Sequence, residues 1–347
     1  MNRLVLIDGN AIIHRAYHAL PPLTNKNGEV DNAVYGFFSM FLKILEDLKP
    51  SFIIVCFDRP KPTFRQQLYV GYQAKRPKMA DDLVPQIGFV HKVLEKAGVA
   101  IFEVGGYEAD DLIGTLATQA VEKKDDRGLK IEDGNLKMED RKSINLPASN
   151  LKNLPSTIHH LPSTIEVIIV SGDRDLLQLV NSRVKMLAPI TGMTNMILYD
   201  DKKVEEKFGI KPAQIIDYKA LVGDSSDNYP GVAGIGPKTA SDLIKKYETF
   251  ENIYTHLNEL PAKIAEKLST DAEQAALCKK LATIIIDAPI TLDIDKCSSL
   301  KLNKEGLKEA LVELGFKSLV KRLEGKDGAS EMQVKKEPDH IKQLGLL

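Results

Sequence analysis

The sequence predicts an α/β fold in its first half, built on a parallel sheet, followed by a mainly α-helical second half. Three observations carry this. Short β-branched runs alternate with amphipathic helical stretches up to about residue 187, each of three such runs leads into an aspartate, and a glycine-rich turn later separates two helical patterns.

Arg3–Ile7, Phe52–Phe57 and Val167–Val170 are apolar on successive residues, the pattern of strands buried on both faces. Between the first two, residues 34–48 place Phe37, Phe38, Phe41, Leu42 and Leu45 at helical spacing. Further helical patterns cover residues 85–97 and 110–123, so strand and helix alternate as a right-handed parallel sheet requires. From 125 to 164 the sequence lacks aromatics, is rich in Lys, Asp, Asn and Ser, and repeats Leu-Pro-Ala/Ser. It reads as a surface insertion, largely disordered, in which His159 and His160 are solvated loop residues rather than metal ligands. The expected organisation is a sheet domain over 1–187, a helical domain over 188–290, a helical extension over 291–324 and a polar tail over 325–347.

Composition narrows the class. With 43% hydrophobic and 27% charged residues the chain of 347 can bury large cores, and no apolar run is long enough to span a membrane. Cys56, Cys278 and Cys297 are widely spaced, which argues against a disulfide framework or a zinc site and fits a soluble, cytoplasmic monomer. The net charge of −1 is unusual for a nucleic-acid binder unless acids cluster at a metal site and leave the remaining surface positive.

Asp8, Asp58 and Asp173 each follow a predicted strand, and ligands of open α/β sheets bind outside the strands' carboxyl ends. Glu108, Asp110 and Asp111 open a helix after Gly105-Gly106, Asp175 follows Asp173, and Asp224 and Asp227 share one loop. Any one of these acids fits a helix cap or a solvated turn, and for Asp111 capping and function weigh equally. The set of nine is different, because carboxylates converging in one crevice repel unless cations neutralise them. Oxygen-only ligands suit Mg2+ or Mn2+, and two such ions can drive an in-line phosphodiester displacement. Glu108 and Asp110 are two apart and cannot share a helix face, so Glu108 is expected just before the helix proper. A phosphatase reading of Asp8-Gly9-Asn10 is weaker, since the second acid expected there is Asn10.

The turn Gly231-Val232-Ala233-Gly234-Ile235-Gly236, followed by Pro237-Lys238-Thr239, lies between helical patterns over 213–222 and 238–247. It reads either as a tight inter-helix turn or as a helix–hairpin–helix that grips a DNA phosphate, with K+ a candidate among the loop carbonyls. The proline, the lysine and the preceding acidic pair favour the second. Between Arg59 and Asp81 cations and rings alternate: Lys61, Phe64, Arg65, Tyr69, Tyr72, Lys75, Arg76 and Lys78. Such a segment suits single-stranded nucleic acid, or else is a solvated loop with some rings turned inward. Arg15 and Tyr17 offer a phosphate contact and a stacking surface, or sit at the core edge.

The segments LIDGN, CFDRP with TFR, GYEADD, SGDRD and GDSSDNYPGVAGIGPKTA, in this order, resemble the 5′-nuclease domain of bacterial DNA polymerase I and the flap endonuclease family over residues 2–290. The resemblance implies a PIN-like nuclease domain with a helical arch and a helix–three-turn–helix clamp. It implies 5′→3′ removal of nucleotides and cleavage of 5′ flaps on nicked or gapped duplex, in primer removal and repair, with a separate DNA polymerase as a candidate partner. Carried over, Asp8, Asp58, Glu108 and Asp110 are ligands of a first Mg2+. Asp173, Asp175, Asp224 and Asp227 are ligands of a second, with Asp111 beside them and Mn2+ a substitute. Gly231, Val232, Gly234, Ile235, Gly236, Lys238 and Thr239 form the clamp, and Arg15, Tyr17, Arg65 and Tyr72 are further DNA contacts. Arg76 matches the arch arginine. The family's Tyr-Lys-x-x-Arg here reads Tyr72-Gln73-Ala74-Lys75-Arg76, which lowers the expected rate unless Lys75 reaches in. The alternatives are a non-catalytic DNA-junction module, motivated by Gln73, and a PIN-type ribonuclease.

Overall fold

The computed structural model describes residues 2–122, 129–132, 135–138, 165–192 and 195–325. Strand β1 (Asn2–Asp8) leads into α1 (Gly9–Ala19) and α2 (Asn32–Leu48), and β2 (Phe52–Cys56) follows. The short α3 (Phe64–Leu68), then α4 (Val84–Lys96), β3 (Ala100–Phe102) and α5 (Ala109–Val121) complete the first half. Strands β4 (Leu129–Glu132) and β5 (Asn135–Met138) pair antiparallel inside the expected insertion, so part of it is a hairpin; His159 and His160 lie outside the described residues.

The sheet is completed by β6 (Ile165–Val170), β7 (Val184–Thr191) and β8 (Asn195–Tyr199), in the order β3-β2-β1-β6-β7-β8. All neighbours are parallel except β7 and β8. The sheet therefore runs on through Tyr199, past the expected boundary at 187. Lys185 and Pro189 interrupt the apolar pattern of β7, and β3 has only half-buried residues, which is why neither reads as a strand.

Alternation along the central strands assigns the two faces. Val5, Ile7, Ile53, Val55 and Ile168 pack with Phe37, Phe38 and Phe41 of α2, while Leu4, Leu6, Ile54, Val167 and Ile169 pack with Leu112, Ile113 and Leu116 of α5. Because both faces are covered, the central residues 4–7, 53–55 and 167–170 are all apolar, and acids are confined to the strand ends.

The second half is helical: α6 (Asp201–Phe208), α7 (Ile215–Val222), α8 (Pro237–Tyr247), α9 (Phe250–Thr255), α10 (Ala262–Thr270) and α11 (Ala272–Ala282). Its apolar residues join the α5 side of the sheet in one cluster. Helices α12 (Lys304–Glu313) and α13 (Lys317–Leu323) turn back instead onto α2 and α4, burying Leu307, Leu311 and Leu319 in the other core. Arg322 adds paired contacts to Glu46 at 2.7–3.1 Å. The expected extension is thus part of the first layer. No described helix is long and apolar enough to cross a membrane.

Candidate metal centre and nucleic-acid interface

The three strand ends meet in one cleft of about 1510 Å³, which opens between the sheet and the helical half. Asp8 closes β1 and caps α1, accepting from Ala11 N at 2.9 Å and from Ser171 Oγ at 2.7 Å. Asp58 follows β2 and accepts from Ala109 N at 2.7 Å, so it also fixes the start of α5. Glu108 stands before that helix as its cap, with an extended backbone at ψ 158, and Gly106 turns the chain into it at φ +95. That placement lets Glu108 and Asp110 face the same space, as the spacing argument requires.

Burial and mutual repulsion dominate the electrostatics. Burial, with Asp58 and Asp173 nearby, pushes the Asp8 carboxyl well up. Burial raises Glu108 to about 7 against the pull of Arg65. Asp110 is pushed far up by burial and by Asp173, Asp8, Asp58 and Glu108, and Asp58 is raised by burial as well. Carboxyls held this far above their ordinary values share too little positive charge, the condition that a divalent cation relieves.

A second group lies across the cleft. Carboxylate oxygens of Asp175, Asp224 and Asp227 come within 4.8 Å of one another. The loop that holds the last two is closed by paired backbone bonds between Asp224 and Tyr229 at 2.8 and 2.9 Å. Lys219 of α7 bridges Asp175 and Asp224. Burial raises Asp224, but the Lys219 ammonium and Ser226 outweigh it and hold that carboxyl below its ordinary value. Asp173 adds to the repulsion on Asp8, Asp110 and Asp227, and so stands between the two groups.

Three sequence assignments change. Asp111 is fully buried and faces away from the cleft, accepting from Arg65 at 2.8 and 2.9 Å and from Ile285 N at 2.9 Å. With its oxygens committed to these donors it is a tie between α5 and the 281–285 segment, not a cation ligand. Arg65, 2% exposed, is not a DNA contact. Its five N–H groups are used on Asp111 (twice), Glu108, Leu281 O and Thr283 O. Tyr72 is not a stacking surface either. Its ring is buried with Tyr229, Cys278 and Leu281, and its hydroxyl spans Glu108 at 3.2 Å and Asp227 at 3.4 Å.

The basic segment carries only the five-residue helix α3 and then runs in turns to residue 83, so the expected arch is less helical than the resemblance implies. Gln73 adopts a left-handed conformation at φ +56, and its N–H donates to Asp227 O at 2.9 Å. Gln73 and Arg76 line the cleft whereas Lys75 is exposed and does not, because the turn directs it outward. Arg76 pairs with Asp227 at 2.6 Å. Lys61, Lys78 and Arg174 line the cleft as well. So do Arg15, which donates to Gly192 O at 3.0 Å, and Tyr17, which donates to Asp82 at 2.8 Å.

Sequence reasoning missed Lys219, Ser171 and Thr63, which donates to Glu108 at 3.1 Å. A lysine five residues before an acidic pair was the only available signal for Lys219.

The glycine hairpin joins α7 to α8. At Gly231, with φ +67, an added Cβ would lie 2.3 Å from Gly223 N, so two backbones touch there. Val232 and Ile235 are 2% and 5% exposed; they pin the hairpin to the core and offer DNA no side chain. Gly236 caps α8, Pro237 is its first residue, and Lys238 is exposed, which leaves a helix start turned outward.

The fold, with a parallel sheet gathering carboxylates at its strand ends and a helical domain carrying a glycine hairpin, defines a PIN-like nuclease class. The family model described as the 5′-3′ exonuclease N-terminal resolvase-like domain matches residues 3–131. The 5′-3′ exonuclease C-terminal SAM fold matches residues 210–305. The 5′-3′ exonuclease of Aquifex aeolicus is 33% identical over 324 residues, covering 93% of this chain and 96% of that protein. DNA polymerase I of Caldicellulosiruptor bescii is 38% identical, over 92% of this chain but 33% of the polymerase. The chain therefore spans about one third of the length of that relative. The chain belongs to the 5′-3′ exonuclease family and is a nuclease. Among solved structures, the bacteriophage T5 flap endonuclease in complex with DNA and metal ions superposes with TM-score 0.57 at 18% identity, covering 94% of this chain and 98% of that one. The catalytic core of Rad2 with DNA superposes with TM-score 0.54 at 13% identity, covering 94% and 92%. Both share the fold.

Proposed function

We propose that this chain hydrolyses phosphodiesters at 5′ ends and 5′ flaps of nicked or gapped DNA, with two divalent cations, in primer removal and repair. The observation that carries this is the convergence, in one cleft, of strand-end carboxyls raised by burial and by mutual repulsion with the Asp175–Asp224–Asp227 group opposite them. Asp8, Asp58, Glu108 and Asp110 would hold one ion, and Asp173, Asp175, Asp224 and Asp227 the other. Bound there, Mg2+ or Mn2+ supplies an activated water and neutralises the leaving oxygen.

The chain's own residues do the positioning. Tyr72 fixes Glu108 and Asp227 relative to each other. Arg76, half-exposed beside Asp227, is placed to meet the scissile phosphate as a charge-assisted donor. Lys219 neutralises part of the second group and keeps its carboxylates near one another. Lys61, Lys78 and Arg15 line the approach with positive charge, and the hairpin and Lys238 hold the duplex by its backbone. A DNA polymerase is the candidate partner, because DNA polymerase I of Caldicellulosiruptor bescii carries a segment similar to this chain.

Product sizing on end-labelled flap, nicked and single-stranded DNA, with Mg2+ and Mn2+ titrated from zero, tests the proposal. The expected result is metal-dependent release of the 5′ segment. Absence of cleavage of every DNA at every metal concentration refutes it, and preferential cutting of matched RNA would transfer the chain to ribonucleases.

A further inference from the structure

Where α11 ends, the chain turns extended at Thr283 (φ −75, ψ 123), and its backbone is taken by side chains from two sides. On one side Arg65 donates to Leu281 O at 2.9 Å and to Thr283 O at 2.8 Å, and Asp111 accepts from Ile285 N at 2.9 Å. On the other a single side-chain amide makes both contacts. Gln178 Nε2 donates to Ala282 O at 2.9 Å, and Gln178 Oε1 accepts from Ile284 N at 3.0 Å. A carbonyl and an N–H on either side of one residue are what a parallel neighbouring strand would bond. Gln178 thus stands in for a strand and fixes the segment along its length.

The two anchors belong to different carboxylate groups. Arg65 donates to Glu108 at 3.2 Å, and Asp111 accepts from Glu108 N at 3.1 Å, one residue after Asp110 on α5. Gln178 lies in the 3-10 turn Arg174–Leu179, which contains Asp175 and is capped by Asp173. Residues 281–285 are therefore a strut common to both groups. Leu176 and Leu177 bury the same turn in the core, but apolar contacts have no direction and leave its register to the two amide bonds. Gln178 is not among the residues that line the cleft, so it acts only through this backbone.

We propose that Gln178 is a positioning residue: by gripping residues 282–284 it sets the spacing of Asp173 and Asp175 against Glu108 and Asp110. This rests on the two-ion reading above. Displacing a reacting group by about 1 Å costs on the order of 10²-fold in rate, so two hydrogen bonds outside the cleft govern the reaction without adding affinity for DNA.

The test loads the full chain with Mn2+ and records its electron paramagnetic resonance spectrum, beside the Kd for flap DNA in EDTA and the single-turnover cleavage rate. The wild type is expected to show a magnetically coupled ion pair. Gln178→Met, which keeps the side chain's length and deletes both bonds, is expected to lose the coupling and keep its Kd within about twofold. Its cleavage falls by about 10²-fold. Gln178→Glu sets a carboxylate against Ala282 O, is expected to do the same, and serves where the methionine variant does not fold. A folded variant with wild-type coupling overturns the proposal whatever its rate, and so does a loss of DNA binding as large as the loss of rate. A wild type that binds Mn2+ with no coupled signal instead refutes the two-ion reading, and this inference with it.

Discussion

Arg65 and Asp111 form a two-pronged ion pair at 2.8 and 2.9 Å, with both side chains shut off from solvent. The pair ties the base of the basic segment to α5, and through Leu281 O, Thr283 O and Ile285 N to the end of the helical half. Removing one partner leaves a buried charge without its counter-charge, a change that costs about 3–5 kcal/mol. Arg65→Ala is expected to lower the urea midpoint accordingly. An unchanged midpoint together with lost cleavage would instead return these residues to the reaction itself.

Asp110 behaves oppositely, because its charge is in excess. Asp110→Asn removes repulsion from Asp8, Asp58, Glu108 and Asp173. The expected outcome is a metal-free protein at least as stable as the wild type, flap binding kept or improved, and cleavage lost. Calorimetry and anisotropy check the first two. Cleavage near the wild-type rate would remove Asp110 from the metal centre.

The raised carboxyls also set a pH dependence. Glu108 titrates near 7 in the fold against an ordinary value of 4.5, so the folded state holds a proton that the unfolded state releases between these values. That contribution to stability is complete below about pH 4.5 and is lost as pH rises through about 7; Asp8 and Asp110 act in the same direction. His14, held below its ordinary 6.5 by burial and by His18 and Arg76, opposes them over part of that window. The metal-free Tm is expected to fall between about pH 5.5 and 8, more steeply for the wild type than for Glu108→Gln, and saturating Mg2+ restores it at the higher pH. Equal slopes for the two proteins would show that Glu108 does not carry the effect.

At the arch, the side chains that face the cleft decide the outcome. Gln73→Lys introduces no new backbone strain, since neither residue is favoured at φ +56, and it aims an ammonium into the cleft. Cleavage is expected to rise by about tenfold, to stay within about twofold in Lys75→Ala, and to fall by about 10²–10³ in Arg76→Ala. Single-turnover rates on a flap substrate distinguish these cases. A strong loss in Lys75→Ala would mean that the turn reorients when DNA binds.

Much of this site is legible in the sequence alone. Asp8, Asp58 and Asp173 were marked by the apolar runs they end, and Glu108 by glycines that let it precede its helix. Asp110 and Asp111 were not separable, since adjacent residues differ only by about 100° around the helix axis. One turns to the cleft and the other to Arg65. Arg65 and Tyr72 read from sequence as DNA contacts because their partners lie far along the chain, Leu281 being 216 residues from Arg65.

The sequence by itself determined the sheet's central strands, the acids at their ends, the glycine hairpin and the family. Each is written in residues only a few positions apart, through burial periodicity or turn chemistry. The tertiary structure decided which charges are used and which are left over. It matched Arg65 to Asp111, set Lys219 between Asp175 and Asp224, and turned Lys267 onto the hairpin. A side chain's charge is a local property, but its partner depends on long-range packing, and no local pattern encodes that choice.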